Sequence, residues 1–349
     1  MALLTTTIGG YPKPDYLSES GWFEARGGAV TNPTEAYSAF LKNTPKDAQE
    51  ILDRATREAV EDQTAIGIDI PTDGEIRREH YIFYHLRHLQ GFDFEHLTAR
   101  VMRGGAWEAK VPTVTGPLAA GDEFLVQDWR MAQSVTDRPV KITVPGPLTI
   151  MDTTTDEHFR DDPKLAFALA DALNVEIRRL AEAGCEWIQV DEPVFARQPE
   201  RALDFGVEAP GRCFAGVPAT VNRVVHICCG YPNALDEEDY PKADRQSYFT
   251  LADAIEAAPV DVVSIEDAHR HNDLTLLERF ASIKVILGII GIARTRIEPV
   301  EEIKARLVQA LEHIDAGRLI AGPDCGLIKL DRATAMAKLK NLVEAAKSL

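Results

Sequence analysis

The sequence predicts an α/β fold, a (β/α)8 TIM barrel with an inserted hairpin or lid after the second strand. Eight short runs rich in Val, Ile and Leu alternate with helical stretches along the 349 residues. Most of these runs show little polar alternation, which is typical of parallel strands covered on both faces. Eight such alternations favour a closed barrel. The alternative is an open doubly wound sheet, but the GxGxxG motif of its dinucleotide-binding form does not follow the first run.

The predicted strands extend from one end of the chain to the other. They cover residues 4–8, 65–70, 140–144, 186–190, 223–228, 261–265, 284–290 and 318–321. Apolar residues at helical spacing predict helices at 46–65, 163–183, 250–258, 274–280, 300–314 and 333–348. Pro163 at the start of one helix and Gly184 just after its end are typical boundary residues.

Residues 80–138 form the longest stretch outside this alternation. The stretch contains many aromatic residues, among them Tyr81, Phe92 and Trp107. We interpret it as an inserted hairpin or lid, and an elaborated surface loop is an equal alternative. Because no linker or sequence repeat divides the chain, we expect residues 1–349 to form one catalytic barrel domain.

Composition excludes several classes of partner. Lys and Arg number 38 and Asp and Glu 55, so the formal charge is −17. Nucleic acids and anionic membranes both require a basic surface, so neither is an expected partner. The N-terminus lacks the pattern of a signal peptide, and the longest apolar run, 285–293, is too short to cross a bilayer. We therefore expect a cytoplasmic protein, while its oligomeric state stays open.

Several chemically reactive side chains follow the ends of predicted strands, where barrel enzymes carry their active sites. His226 and Cys228 are two residues apart on one strand, so their side chains point to the same side. Glu266 and Cys325 come at the equivalent level of two other strands. One imidazole, two thiolates and one carboxylate can bind Zn²⁺ with four ligands. The alternative is a core histidine with cysteines that serve as small apolar residues.

The remaining cysteines are predicted to be structural. An odd number of cysteines, five, argues against a framework of disulfides. Cys229 should point away from Cys228 into the barrel wall. Cys185 and Cys213 belong to no motif.

Seven segments, in order along nearly the whole chain, resemble the C-terminal catalytic barrel of the cobalamin-independent methionine synthase family. Each segment alone is common, but the combination is specific. The segments are Thr7-Ile8-Gly9-Gly10, Asp73-Gly74-Glu75, Gly146-Pro147-Leu148-Thr149-Ile150, Ile188-Gln189-Val190-Asp191-Glu192-Pro193, His226-Ile227-Cys228, Ser264-Ile265-Glu266 and Pro323-Asp324-Cys325-Gly326-Leu327.

The resemblance implies a zinc-dependent methyltransferase that methylates the sulfur of homocysteine to give methionine. It implies that zinc is held by His226, Cys228, Glu266 and Cys325. It also implies that Glu75 and Asp191 bind the substrate ammonium group, and that the amides around Ile8, Gly9 and Gly10 bind its carboxylate. Glu266 and Asp191 are the candidate catalytic residues, and we expect the carboxylate of Glu266 to give up its place to the incoming thiol. Without the resemblance, Glu75 and Asp191 would be interpreted as a helix-terminal and a turn-capping acid.

Departures from the family pattern concern the methyl donor. The folate-dependent enzymes have a pterin-contacting Trp after the Gly-Pro segment, whereas residues 151–154 here read Met-Asp-Thr-Thr. Ala293 takes the place of a histidine implicated in proton delivery, and 349 residues leave room only for the catalytic barrel. We therefore expect a donor other than folate, such as a corrinoid or another methyl carrier, including a carrier protein.

Two other functions remain open on the sequence alone. The first is alkyl transfer to another thiol, as in epoxyalkane:coenzyme M transferases, with Arg294 or Arg296 pairing with a sulfonate or carboxylate. Both arginines can equally be solvated surface charges. The second is a non-catalytic, degenerate metal-binding barrel, and the complete set of four ligands argues against it.

Overall fold

Seven parallel strands form a curved sheet at the centre of the protein. The structure, a computed structural model, describes residues 2–18, 21–23, 30–102, 107–230, 234–237 and 242–349. In sheet order the strands are β1 (Leu4–Thr5), β10 (Leu319–Pro323), β9 (Lys284–Ile290), β8 (Val262–Glu266), β7 (Asn222–Ile227), β6 (Trp187–Asp191) and β4 (Lys141–Pro145). Every neighbouring pair is parallel, as the continuous apolar runs predict.

An eighth chain segment closes the circle between β1 and β4. Thr6 pairs with Ile70 and Thr72 pairs with Lys141, each as an isolated parallel bridge. The predicted barrel is therefore confirmed, but the predicted second strand at 65–70 begins too early. Helix α3 (Ala48–Ile66) continues through those first residues and ends at Gly67, whose φ of 107° is accessible to glycine at little cost.

Helices cover the outside of the sheet between the strands. The longest, α7 (Asp162–Ala183), starts at the Asp161 cap, whose side chain accepts a hydrogen bond from Lys164 N, and ends at Gly184. The predicted helix at 274–280 is a 3-10 helix, Leu274–Arg279. The others are α1 (Asp15–Ser18), α2 (Pro33–Asn43), α4 (Phe83–Leu86), α5 (Leu125–Gln133), α6 (Pro147–Asp152), α8 (Pro193–Arg197), α9 (Pro199–Arg201), a π-helix (Ala202–Gly206), α10 (Glu208–Cys213), α11 (Gln246–Ala257), α12 (Val300–Ala310) and α13 (Arg332–Lys347).

The insertion after the second strand position contains a long antiparallel hairpin, as predicted. Its strands are β2 (Leu89–Met102) and β3 (Trp107–Ala120), and β3 also pairs with the short β5 (Thr155–Asp156). Arg100 of the hairpin donates to the carbonyl oxygen of Met151 at 2.8 Å, which joins the hairpin to the end of α6. Its function as a lid stays a prediction, and so does the organisation of residues 1–349 as one catalytic domain.

Two clusters of buried apolar residues stabilise the barrel. The larger lies between the sheet and the helices. The smaller fills the inside of the barrel and consists of Ile8, Ile70, Trp187, Val224, Val262, Ile286 and Ile320. At the position paired with Trp187, β4 contributes Lys141, which is fully buried. The inside of the barrel is thus packed and leaves its rim as the place for chemistry.

Within the described residues, no helix has both the length and the apolar composition needed to cross a bilayer. The expected cytoplasmic location and the absence of nucleic-acid partners stay predictions.

Candidate metal and substrate site

The carboxyl ends of the central strands bring several predicted site residues to one level of the barrel. Asp191 at the end of β6 pairs in register with His226 of β7, and His226 pairs with Ser264 of β8. Paired residues of neighbouring strands project to the same face, so the three side chains line the inside of the rim.

His226, Cys228 and Cys325 form a compact group of potential metal ligands. One ligand atom from each lies within 4.8 Å of the other two. His226 and Cys228 are buried, and Cys325 is partly buried just after β10. The structure thus brings together three of the four predicted ligands, from strands nearly 100 residues apart in sequence.

The geometry around His226 fits a metal ligand. Its Nδ1 lies 2.9 Å from Ser264 Oγ, while Nε2 is buried and has no hydrogen-bond partner among the described residues. A metal-binding histidine typically uses its second ring nitrogen to contact a polar group that fixes the ring. One imidazole and two thiols are also the donors that zinc prefers, so the residues present fit this ion.

Electrostatics favour a thiolate in this group. The hydrogen bond with Cys325 lowers the pKa of Cys228 well below its usual range and raises that of Cys325. Burial lowers the pKa of His226, but the adjacent Cys228 sulfur raises it overall. A thiolate is the form that binds metals and attacks electrophiles, so the group is prepared for either function.

Glu266, the fourth predicted ligand, lies outside this compact group. Its Oε1 is 2.7 Å from Lys242 Nζ, and its Oε2 accepts a hydrogen bond from Cys229 N at 3.1 Å. Both side chains are buried, with 3% of the Glu266 side chain and 7% of the Lys242 side chain exposed. The assignment of Glu266 as a ligand therefore stays a prediction.

Glu75 follows the second strand position in a strained backbone conformation. Its φ is 54°, in the left-handed region that non-glycine residues seldom adopt. Its Oε1 accepts a hydrogen bond from Thr143 Oγ1 at 2.6 Å and lies 3.2 Å from Arg78 NH1. Lys13 Nζ donates to the carbonyl oxygens of Glu75 and Ile76 at 2.8 and 2.7 Å, which stabilises the turn.

Asp191 is a buried carboxylate at the end of β6, beside His226 of β7. Gln189 Nε2 donates to its Oδ1 at 2.7 Å and to the carbonyl oxygen of Ile8 at 2.9 Å. Burial is the main cause that raises the pKa of Asp191 to about 7, while His226 lowers it and Glu75 raises it. Such electrostatic influence indicates that Asp191 lies near both the histidine and the other candidate ammonium-binding carboxylate.

Ile8, Gly9 and Gly10 continue from β1 and lie beside Glu75. A Cβ atom on Gly9 would come within 2.6 Å of Glu75 Oε1, and one on Gly10 within 3.3 Å of Oε2. The Gly10 carbonyl oxygen accepts a hydrogen bond from the N–H of Leu327, two residues after Cys325. The two glycines therefore allow the first and last strand ends to pack closely against the acid.

Residues that the sequence did not identify complete this site. Tyr81 is partly buried, and burial raises its pKa, as do the charges of Asp191, Glu75, Cys325 and Cys228. Tyr81 thus lies near both the candidate metal ligands and the candidate substrate carboxylates. Its place in the aromatic insertion was visible in the sequence, but no motif connected it to the site. Lys242 and Thr143 likewise lack a motif, whereas Ser264 belongs to the Ser264-Ile265-Glu266 segment but had no function assigned to it.

Two residues that follow β9 and were considered for the site, Arg294 and Ala293, do not join the group of candidate ligands and carboxylates. Arg294 is exposed, as is Arg296, which pairs with Glu302 at 2.5 Å. Exposure agrees with the solvated-charge alternative for both, while the pairing of Arg294 with a substrate anion stays a prediction. The amide of Ala293 donates to His269 Nε2 at 3.0 Å, so a histidine does contact this position from another loop.

All five cysteines are free. Cys185, Cys213 and Cys229 are buried, and burial is the main cause that raises the pKa of each thiol. Burial and a raised pKa agree with the structural function predicted for these three.

Comparison with known proteins assigns the chain to a family. Residues 3–348 match the sequence model of the cobalamin-independent synthase catalytic domain. The chain is 32% identical to a methionine synthase of Saccharolobus solfataricus and 33% identical to one of Saccharolobus islandicus. Each alignment covers 99% of this chain and 94% of the relative.

Solved structures agree with this assignment. A B12-independent methionine synthase from Shewanella sp. W3-18-1, in complex with selenomethionine, superposes with a TM-score of 0.87 and 30% identity over 100% of this chain and 98% of that one. A putative vitamin-B12-independent methionine synthase from Listeria monocytogenes has the same fold, with a TM-score of 0.72 and 19% identity over 99% of this chain and 98% of that one. The chain therefore belongs to the cobalamin-independent methionine synthase family, as a methyltransferase of the methionine synthase type.

Proposed function

We propose that this protein uses zinc to transfer a methyl group to the sulfur of homocysteine, giving methionine. The observation that carries the proposal is the compact group of His226, Cys228 and Cys325 beside a pair of carboxylates. Asp191 influences the pKa of both His226 and Cys325, so the two parts of the site are adjacent. Selenomethionine, the selenium analogue of methionine, is bound in the Shewanella relative, which supports methionine as the product.

In this proposal, His226, Cys228 and Cys325 hold the ion, with Glu266 as a further ligand. Zinc keeps a coordinated thiol deprotonated, and therefore nucleophilic, at neutral pH. The homocysteine sulfur attacks the methyl carbon of the donor. A carbon–sulfur bond forms, and the bond between methyl and donor breaks with its electron pair left on the donor.

The amino-acid part of the substrate is held by the neighbouring part of the rim. Glu75 and Asp191 bind the ammonium group, and the amides around Ile8, Gly9 and Gly10 bind the carboxylate. Glu75 is suited to this function because Thr143, Arg78 and Lys13 fix both its carboxylate and its backbone. Orientation by fixed groups lowers the entropy cost of bringing sulfur and methyl donor together.

We further propose that the donor is a corrinoid or another methyl carrier in place of folate. The segment that carries the pterin-contacting Trp in the folate-dependent enzymes reads Met-Asp-Thr-Thr at 151–154. Its backbone is occupied by a contact with the hairpin, where Arg100 donates to Met151 O. The absence of a Trp from residues 151–154 is the feature that supports a donor other than folate.

An assay of methionine formation tests this function. Zinc-loaded protein is incubated with homocysteine and either methylcobalamin or methyltetrahydrofolate, and methionine is quantified. We expect methionine with the corrinoid donor and none with Cys325→Ala. Turnover with folate would overturn the donor assignment alone. Coenzyme M is tested in place of homocysteine, and its preferred use would favour the epoxyalkane transferase alternative.

A further inference from the structure

His269 connects the loops that follow β8, β9 and β10 at the rim of the barrel. Its Nε2 accepts a hydrogen bond from Ala293 N at 3.0 Å, and its Nδ1 lies 3.5 Å from Asp324 Oδ2. Only 5% of the His269 side chain and 2% of the Asp324 side chain are exposed. The contact between the three loops is therefore buried, although His269 itself belongs to a connecting segment.

Asp324 links the chain segments that carry two of the proposed metal ligands. Its Oδ1 accepts hydrogen bonds from the amides of the two residues that follow Glu266, each at 2.8 Å. Its Oδ2 accepts a third from His269 N, also at 2.8 Å. Asp324 directly precedes Cys325 in the sequence. One carboxylate thus fixes the backbone after Glu266 relative to the backbone that presents Cys325.

The surroundings of the His269 ring suit a positioning function and do not suit proton delivery. A neutral imidazole has one N–H, and because Nε2 accepts from Ala293, the proton is on Nδ1 and faces Asp324. Burial lowers the pKa of His269 to about 3, so the ring is neutral at physiological pH. Both ring nitrogens therefore face protein groups, and the ring holds no proton ready for a substrate.

We propose that His269 is a positioning residue, which acts through Asp324 to hold Cys325 in the metal-binding group. The proposal deepens the proposed function and rests on it, because it requires a metal at this group. Side chains that orient metal ligands without touching the metal contribute strongly to metal affinity. Without His269, Asp324 loses the side chain that connects it to the loop at Ala293, and Cys325 gains freedom to move.

Binding of Co²⁺ in place of zinc tests this function apart from turnover. Affinity is measured by competition with a chelator, and the intensity of the thiolate-to-cobalt absorption band reports the number of coordinated thiolates. We expect His269→Leu to bind Co²⁺ roughly 10- to 100-fold more weakly than the wild type. Its band should fall to that of one thiolate, as in Cys325→Ala, where Cys228 is the thiolate that remains.

Two amide variants identify the path of the effect, and they carry the test if His269→Leu does not fold. In His269→Asn the amide nitrogen occupies about the place of Nδ1, so it can donate to Asp324, and we expect the band of two thiolates. In His269→Gln the amide lies near the place of Nε2 and serves only Ala293, so we expect the weaker band. The reverse order would overturn the action through Asp324.

The matched control is His313→Leu. His313 follows α12, and its Nδ1 lies 2.6 Å from a carboxylate oxygen of Glu278, so it also pairs with an acid through Nδ1. It belongs to no part of the proposed site, and the variant should bind Co²⁺ with the affinity and the band of the wild type.

The outcomes distinguish this proposal from the proposed function. A wild-type Co²⁺ complex with fewer than two thiolates overturns the proposed ligand set, and the function of His269 with it. A wild-type complex with two thiolates, together with an equal band and affinity in folded His269→Leu, overturns only the function of His269. A lower melting temperature of metal-free His269→Leu with unchanged Co²⁺ binding has the same meaning, because it shows an effect on the fold alone.

Discussion

His226 Nδ1 lies 2.9 Å from Ser264 Oγ, across the pair of strands β7 and β8. This contact occupies Nδ1, so the buried Nε2 is the ring nitrogen left for a metal. We expect Ser264→Ala to weaken zinc binding roughly 10- to 100-fold, because the histidine loses the group that orients it. Chelator competition measures the change. Ser282→Ala, at an exposed serine bonded to Glu256, should bind zinc as the wild type does, and equal affinities for both variants would contradict this function of Ser264.

Cys325 is the only member of the compact ligand group that β10 supplies. Its replacement by alanine removes one of the two thiolates and leaves His226 and Cys228, with Glu266 as the further proposed ligand, a set that holds zinc weakly. We expect Cys325→Ala to lose most of its zinc and all methyl transfer, measured by metal analysis and by the methionine assay. Cys213→Ala removes a buried thiol from α10 and should retain its zinc. Full retention of zinc and activity in Cys325→Ala would refute the ligand assignment.

Glu75 is proposed to recognise the ammonium group, and this can be isolated with a substrate analogue. A hydrogen bond to a charged group contributes about 1.5–3 kcal/mol, so Glu75→Gln should raise the KM for homocysteine roughly 10- to 100-fold. The same variant should leave the KM for 4-mercaptobutanoate unchanged, because this thiol lacks the amino group. Glu79→Gln, which breaks the pair with Arg87 in the same segment, is the control. An equal rise for both thiols would show that Glu75 acts on the fold.

Lys141 places an amine inside the barrel, where its Nζ has no hydrogen-bond partner among the described residues. Burial lowers the pKa of Lys141 from 10.5 to about 7, although Asp191 of β6 opposes this, and His226 of β7 also faces it. Between these two pKa values the unfolded chain binds the proton and the folded protein does not. Burial of the charged Lys141 amine therefore lowers the free energy of unfolding by its full amount below pH 7. This loss becomes smaller as the pH rises from 7 to 10.5.

We accordingly expect wild-type protein to gain stability relative to Lys141→Met by about 1.4 kcal/mol per pH unit within that window. Urea unfolding of both proteins at pH values below, within and above the window measures the difference. Lys164→Met provides the exposed control. A constant difference between wild type and Lys141→Met across the window would show that the buried amine does not lose its proton on folding.

The barrel could be predicted from the sequence because a strand that is buried on both faces has an apolar pattern within its own few residues. Continuous apolar runs arise wherever a strand is covered on both faces, and seven of the eight predicted strands lie where the structure has them, within a few residues. The second one was misplaced because the apolar pattern of α3 extends through Ile66 without interruption, so helix and strand could not be separated by composition.

The structure brings predicted site residues together where they share a strand or a family motif, while their functions stay predictions. The two-residue spacing of His226 and Cys228 places both on one face, and family motifs added Cys325, Glu75 and Asp191. Lys242 and Tyr81 could not be predicted, because each reaches the site from a connecting segment whose path depends on tertiary packing. A salt bridge such as that between Lys242 and Glu266 joins residues whose spacing in the sequence follows no helix or strand period.

The closure of the barrel at Ile70 and Thr72 has a consequence for motion. Here the backbone bonds to the neighbouring strands include Ile70 N to Thr5 O at 3.0 Å and Lys141 N to Pro71 O at 2.8 Å, whereas β6 and β7 pair over five residues. The chain that carries Glu75 is therefore joined to its neighbours by isolated bridges, whereas β6 and β7 form a continuous ladder. In hydrogen exchange, the amides of Ile70 and Thr72 should exchange before those in the ladder between β6 and β7. We expect the mouth of the barrel to widen first on this side, next to the proposed ammonium pocket, while the ladder between β6 and β7 stays paired.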